Sequence, residues 1–172
     1  MIFIVYEMRI ATIRSLDVSN GEGCGVALFT QGCPFHCFNC FNSETWDFNG
    51  GIKYEQKHEN MIIDLLNKKQ ITRLSILGGE PLIKRNIKDL EDLIIRVRKE
   101  YGKSKKIWLY TGQLFEDVLK MYPNIIKNVD VLIDGRYEDD KRDVNLKWCG
   151  SSNQRVIDIE DVLVGVKNNF TS

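Results

Sequence analysis

An excess of charge of either sign is missing from this sequence of 172 residues: 24 lysines and arginines are matched by 24 aspartates and glutamates. A protein that mainly coats nucleic acid or an anionic membrane needs a cationic surplus, so no nucleic-acid or membrane partner is expected. Prolines number only three, and no repeat, low-complexity tract or Pro/Gly-rich linker divides the chain. It reads as one domain over residues 1–172, large enough to bury its own core. Long apolar runs are absent too. The opening "MIFIV" meets Glu7 and Arg9 at once, far short of the ~20 residues needed to span a bilayer. It reads as an extended segment of a soluble, cytoplasmic protein. A secreted disulfide framework is excluded as well: there are five cysteines, an odd number, and Cys33, Cys37 and Cys40 crowd into one short loop. In a reducing compartment such clusters point to metal or redox chemistry.

What is present is an alternation of strands and helices. "VALFT" (26–30), "RLSIL" (73–77), "KIWLY" (106–110), "VDVLID" (129–134) and "QRVIDI" (154–159) read as strands. Residues 56–68 carry Met61, Ile62, Leu65 and Leu66 at helical spacing. Asn86 has the chemistry of an N-cap for a helix with Ile87, Leu90, Leu93, Ile94 and Val97 on one stripe, ended by Gly102. "FEDVLKM" (115–121) is a shorter helix. This order predicts an α/β fold of parallel units with right-handed crossovers, which carry ligands at the carboxyl ends of their strands. Four loops then converge on one rim: the cysteine loop, Gly78-Gly79-Glu80-Pro81, Thr111-Gly112 and Asp134-Gly135.

Cys33, Cys37 and Cys40 follow C-x3-C-x2-C spacing, and soft thiolates select zinc, copper(I) or iron–sulfur clusters. Structural zinc wants four ligands, and an electron-carrying cluster normally takes four cysteines. The nearest candidate for a fourth, Cys24, is separated from Cys33 by a whole strand, roughly 16 Å at 3.3 Å per residue. His36 could complete a Cys3His zinc site, and Cys37 with Cys40 could form a redox pair. An iron–sulfur cluster held by three cysteines would leave one iron open to an outside ligand.

The stretches "GEGCGVALFTQGC", "CFNSETWDFNGG", "LSILGGEPL", "IWLYTGQLFEDV", "VDVLIDGRYE" and "WCGSSNQRVID" run in order from about residue 21 to 158. Together they resemble the radical S-adenosylmethionine superfamily, and within it the activating proteins of anaerobic (class III) ribonucleoside-triphosphate reductases. The resemblance implies a partial, open (β/α) barrel. It implies a four-iron, four-sulfur cluster on Cys33, Cys37 and Cys40, whose open iron takes the amino and carboxylate groups of S-adenosylmethionine. Reductive cleavage of the sulfonium would give a 5′-deoxyadenosyl radical, and the target would be a glycine hydrogen on the large reductase subunit. Reduced flavodoxin or a similar donor would supply the electron.

By the same resemblance Gly78, Gly79 and Glu80 receive the methionine amino group, the backbone of Asn39, Cys40 and Phe41 flanks the adenine, and Asp134 with Arg136 reaches the ribose or carboxylate. Phe35, Phe38 and Phe41 would keep water off the cluster. Some positions depart from the family pattern. Asn39 stands where many relatives have an aromatic, Gly21-Glu22-Gly23 replaces Gly-Pro-Gly, the arginine common nearby gives way to Cys24-Gly25, and Cys149 stands where relatives often have arginine. Pyruvate formate-lyase activators share the cysteine loop and Gly-Gly-Glu-Pro, but "SETWDF" with "GSSNQR" favours the reductase activators. A radical enzyme of the deazaguanine pathway is a third reading, and a non-catalytic zinc-binding module is the rival from a different class.

Overall fold

The computed structural model describes residues 7–170, so the apolar opening stretch lies outside the described residues. Among the described residues seven strands form one sheet: β1 (Arg9–Asp17), β2 (Gly25–Thr30), β3 (Ile52–Lys53), β4 (Arg73–Gly78), β5 (Lys106–Tyr110), β6 (Val131–Asp134) and β7 (Arg155–Asp158). Their order is β3-β1-β2-β4-β5-β6-β7. β2, β4, β5 and β6 form a continuous parallel block, and β1, β3 and β7 join it antiparallel. Among the described residues β3 and β7 are the edges, so the sheet does not close.

The strand expected at 154–159 forms as β7 but runs antiparallel to β6. A parallel partner needs a crossover back to the far end of the sheet. The segment from Gly135 to Gln154 instead stays at the end where β6 finishes, so β7 must run back. Before the cysteine loop, β1 pairs along the whole of β2, an antiparallel hairpin that the β-α alternation does not foretell.

Among the described residues there are five α-helices: α1 (Gln56–Leu66), α2 (Ile87–Tyr101), α3 (Phe115–Met121), α4 (Pro123–Ile126) and α5 (Ile159–Phe170). Side chains alternate faces along a strand. Val26, Leu28, Leu74, Ile76, Ile107, Leu109 and Leu132 enter the main core with Ile62, Leu66, Leu90, Leu93 and Val97 of the helices. Ala27, Phe29 and Leu77 face the other way, with Tyr110 packed beside them. Every residue of β2 is buried, as a strand covered on both faces requires. Met61, counted in the helical stripe, is 49% exposed, and Ile63 takes the inward position.

Asn86 precedes α2 as expected, but its side chain does not cap the helix. Its Nδ2 donates to the carbonyl of Pro81 at 3.1 Å, fastening the helix start to the glycine-rich loop. Gly102 ends α2 at φ +55°, a left-handed conformation that costs glycine little. Under the helix-free face, Arg73 is fully buried and pairs with Asp17 at 2.8 Å. Its Nη1 also donates to Ser75 Oγ at 2.7 Å, and its Nε to the carbonyl of Glu22 at 3.1 Å. These bonds fasten the β1–β2 connection to the start of β4.

Candidate functional site

The cysteine loop leaves β2 at Thr30 and folds back on itself. Gly32 N–H donates to the carbonyl of Thr45 at 2.7 Å, and Cys33 N–H to that of Trp46 at 3.1 Å. His36 (φ +48°) and Asn39 (φ +53°) lie in the left-handed region, which a non-glycine residue occupies at a cost of about 1–3 kcal/mol. Cys40 N–H closes the last turn onto the carbonyl of Cys37 at 3.1 Å. The His36 ring stacks on Trp46 at 4.6 Å.

The loop after β4 docks on this one backbone to backbone. Gly79 N–H donates to the carbonyl of Thr30, and Glu80 N–H to that of Gly32, both at 2.9 Å. A Cβ on Gly78 would sit 2.5 Å from Thr30 N and O, and one on Gly79 would sit 2.3 Å from Gly32 O. The two glycines are needed here because the loops touch each other, whatever ligand approaches them. Glu80 is 1% exposed. Its Oε1 accepts from Thr111 Oγ1 at 2.7 Å and Leu82 N–H at 2.9 Å, and its Oε2 from Gly112 N–H at 2.7 Å. Burial pushes its carboxyl up despite these donors. Three of roughly four acceptor positions are therefore used inside the chain, and the carboxylate joins the second rim loop to the third.

These loops border a cleft of about 510 Å³. Cys33, Cys37, Cys40, Phe41, Gly78, Gly79 and Glu80 all line it, with Thr111, Gly112, Gly135 and Arg136 from the remaining rim loops. The predicted convergence of four loops is found. Burial raises the thiol of Cys33, and burial with the neighbouring Cys40 raises that of Cys37. Among the described residues no three His, Cys, Asp or Glu side chains gather around a single-ion site. Cys33, Cys37 and Cys40 bring three soft thiol donors to this cleft, a donor set that suits an iron–sulfur cluster, in which each thiolate bonds its own iron.

Other expected residues sit elsewhere. Asn39 is exposed and its Nδ2 donates to Asp139 Oδ2 at 3.1 Å, so its side chain leaves the cleft. Asp134 is fully buried and outside the lining. It accepts from Phe115 N–H at 2.8 Å and pairs with Arg155, which accounts for its carboxylate without a ligand. Phe38, expected as a shield, is 75% exposed. Phe35 stays in the lining, half-buried, with Arg136 4.2 Å over its ring and the ring against Gly112. Phe41 meets Tyr137 edge-on at 5.2 Å.

A family model described as a 4Fe-4S single cluster domain matches residues 19–157. Over 143 residues the chain is 36% identical to the anaerobic ribonucleoside-triphosphate reductase-activating protein of Escherichia coli (strain K12), covering 82% of this chain and 92% of that one. It is 39% identical over 144 residues to the protein of the same name from Pasteurella multocida (strain Pm70), covering 80% and 89%. With that of Enterobacteria phage T4 it shares 36% over 149 residues, covering 87% and 93%. The chain belongs to this family of activating proteins.

One wall of the cleft in this family member escaped the sequence reading. The segment between β6 and β7 brings Tyr137, Arg142, Trp148, Cys149 and Gln154 into the lining. Gln154 anchors it: its Oε1 accepts from Gly150 N–H at 2.9 Å and Ser151 N–H at 3.2 Å, and its Nε2 donates to Gly135 O at 3.0 Å. Trp148, at φ +66°, packs edge-on against Trp108 at 4.9 Å. The stretch "GSSNQ" is thus a self-bonded turn, and its run of small polar residues ending in glutamine was the available signal.

Proposed function

We propose that this chain is a radical S-adenosylmethionine activase that generates the glycyl radical on the anaerobic ribonucleoside-triphosphate reductase. The open sheet would be the partial (β/α) barrel of that superfamily, forming a single cytoplasmic domain. One observation carries the reading: Cys33, Cys37 and Cys40 share a cleft with the Gly78–Glu80 loop, in a chain related over most of its length to named activating proteins. No helix among the described residues is long and apolar enough to cross a membrane.

In this assignment Cys33, Cys37 and Cys40 would hold a four-iron, four-sulfur cluster, leaving one iron without a protein ligand for S-adenosylmethionine. When bound, cluster and cofactor supply one-electron cleavage of a sulfonium and hydrogen-atom abstraction. The chain does the rest. The remaining acceptor position of Glu80 and the backbone of Gly78 and Gly79 receive an ammonium. The backbone of residues 39–41 flanks the adenine. Phe35, held by Arg136, limits water at the thiols, and burial of the ligands tunes the cluster potential. Asp134 serves indirectly, by fixing Arg155 and the start of α3. The electron comes from reduced flavodoxin or a similar one-electron donor.

The test is an anaerobic preparation assayed for iron, sulfide and zinc, then given S-adenosylmethionine and dithionite. A brown protein that releases 5′-deoxyadenosine, and no longer does so as Cys37→Ala, supports the assignment. A colourless protein with stoichiometric zinc overturns it in favour of a binding module. Electron paramagnetic resonance of mixtures with candidate glycyl-radical enzymes then identifies the target. A glycyl signal on a formate-lyase and none on the reductase overturns the partner.

A further inference from the structure

The segment between β6 and β7, which walls one side of the cleft, also grips the cysteine loop on both sides of Cys40. On one side Asn39 donates from Nδ2 to Asp139 Oδ2 at 3.1 Å. The other oxygen of that carboxylate, Oδ1, accepts from the Tyr137 hydroxyl at 2.7 Å. Asp139 is thus shared between the wall and the loop. On the other side the Phe41 ring meets Tyr137 edge-on at 5.2 Å and lies 5.4 Å from the Arg142 guanidinium above it. Gly150 makes room for this contact: a Cβ there would stand 3.0 Å from the Phe41 ring and 3.1 Å from that of Tyr137. Asn39 is the residue of this turn that most needs holding. It lies between Cys37 and Cys40 at φ +53°, a conformation that persists in a non-glycine residue only when its surroundings fix it. Asparagine tolerates it best, provided its short amide finds a partner.

We propose that Asp139 is a positioning residue for the cysteine loop: through Asn39 it holds the turn between Cys37 and Cys40 in its left-handed form, and with it the Cys40 thiol and the backbone of residues 39–41. This rests on the activase reading, which gives that thiol to the cluster and that backbone to the adenine. Asp139 itself lies outside the cleft lining, so it acts on the site only through the residues it holds. The division of labour follows from its two oxygens. Tyr137 fixes one and thereby aims the other at Asn39, and the bond to an ionised acceptor is of the stronger, charge-assisted kind. The loop is then set before metal or cofactor arrives, and neither has to supply the free energy of ordering it.

The test is the rate at which the anaerobically reconstituted holoenzyme yields its iron to a ferrous chelator. Asp139→Ala should release iron about three- to tenfold faster than the unaltered protein, as expected for one lost hydrogen bond to a charged group. Its half-saturating S-adenosylmethionine concentration for 5′-deoxyadenosine release should rise by a similar factor. A second background separates positioning from a general loss of structure. Glycine adopts the left-handed turn with no side-chain bond, so adding Asp139→Ala to Asn39→Gly should speed iron release by less than about twofold further, because the two residues act as one unit. Equal iron release with and without Asp139 overturns the proposal. So does the full acceleration by Asp139→Ala in the Asn39→Gly background, which would show the carboxylate acting on the fold rather than through Asn39. If the unaltered protein takes up no iron at all, it is the activase reading that fails.

Discussion

Asp17→Asn probes the buried ion pair beneath the cleft. The side chains of Arg73 and Asp17 are 0% and 2% exposed and meet at 2.8 Å. Asparagine can still accept from Asn20 N–H, which now donates to Asp17 Oδ2 at 3.0 Å, but it offers the guanidinium no charge. Breaking a buried pair by removing one partner costs about 3–5 kcal/mol. The carbonyls of Asp17 and Glu22 still accept from Arg73 at 3.0 and 3.1 Å, so the lower end, about 3 kcal/mol, is expected. At about 2–4 °C per kcal/mol for a chain of this size, melting should fall by about 6–12 °C. Urea unfolding at pH 7, followed by circular dichroism with an unchanged m-value, measures the loss directly. The pH dependence adds a second check. Burial alone would raise the Asp17 carboxyl, but hydrogen bonds from Arg73 and Asn20, with the charge of Arg73, leave it below its usual value. Because the folded pKa is depressed, this stabilisation is present above the unfolded value of about 3.9 and is lost as pH falls through the folded one. The gap between the two proteins should therefore narrow below about pH 4. A loss under about 1 kcal/mol at pH 7, the worth of an exposed pair, would refute the reasoning.

Gly79→Ala should cost several kcal/mol and lower iron content, since its Cβ would overlap Gly32 O at 2.3 Å and neither backbone can give way; iron analysis after anaerobic reconstitution checks this. Glu80→Gln places an NH2 group among the three donors Thr111, Leu82 and Gly112, so a loss of about 1–3 kcal/mol is expected in urea unfolding. Cys24→Ser should retain its iron and 5′-deoxyadenosine release, because Cys24 packs against the main core and lies outside the cleft lining; equal iron loss in Cys24→Ser and Cys37→Ala would refute the ligand assignment. Phe38→Ser should change stability by less than about 0.5 kcal/mol, as befits a side chain 75% exposed, and calorimetry measures it.

Much of the fold was legible because its signals are local. The runs of Val, Ile, Leu and Phe at 26–30, 73–77 and 106–110 form the buried centre of the sheet, and their alternation with helical stripes identifies the parallel block. β1 was harder to read: most of its residues are exposed or half-buried, so no apolar run announces it. The site was legible where spacing carries chemistry, at Cys33, Cys37, Cys40 and Gly78–Glu80. It was not legible where a residue's work depends on who surrounds it. Asp134 looks like a rim ligand in sequence, yet Arg155 and α3 occupy it. Asn86 looks like a cap, yet it bonds the carbonyl of Pro81.

The amino-acid order alone determined that three soft donors sit in one short loop after a buried strand, because thiol spacing and side-chain alternation are properties of neighbouring residues. Only the tertiary structure decided that Gly79 faces the carbonyl of Gly32, that Glu80 joins two loops from within, and that Trp148 lands on Trp108 to wall the cleft. Those outcomes depend on the order in which strands assemble into the sheet, which brings together backbone and side chains distant along the chain, and no local pattern encodes them.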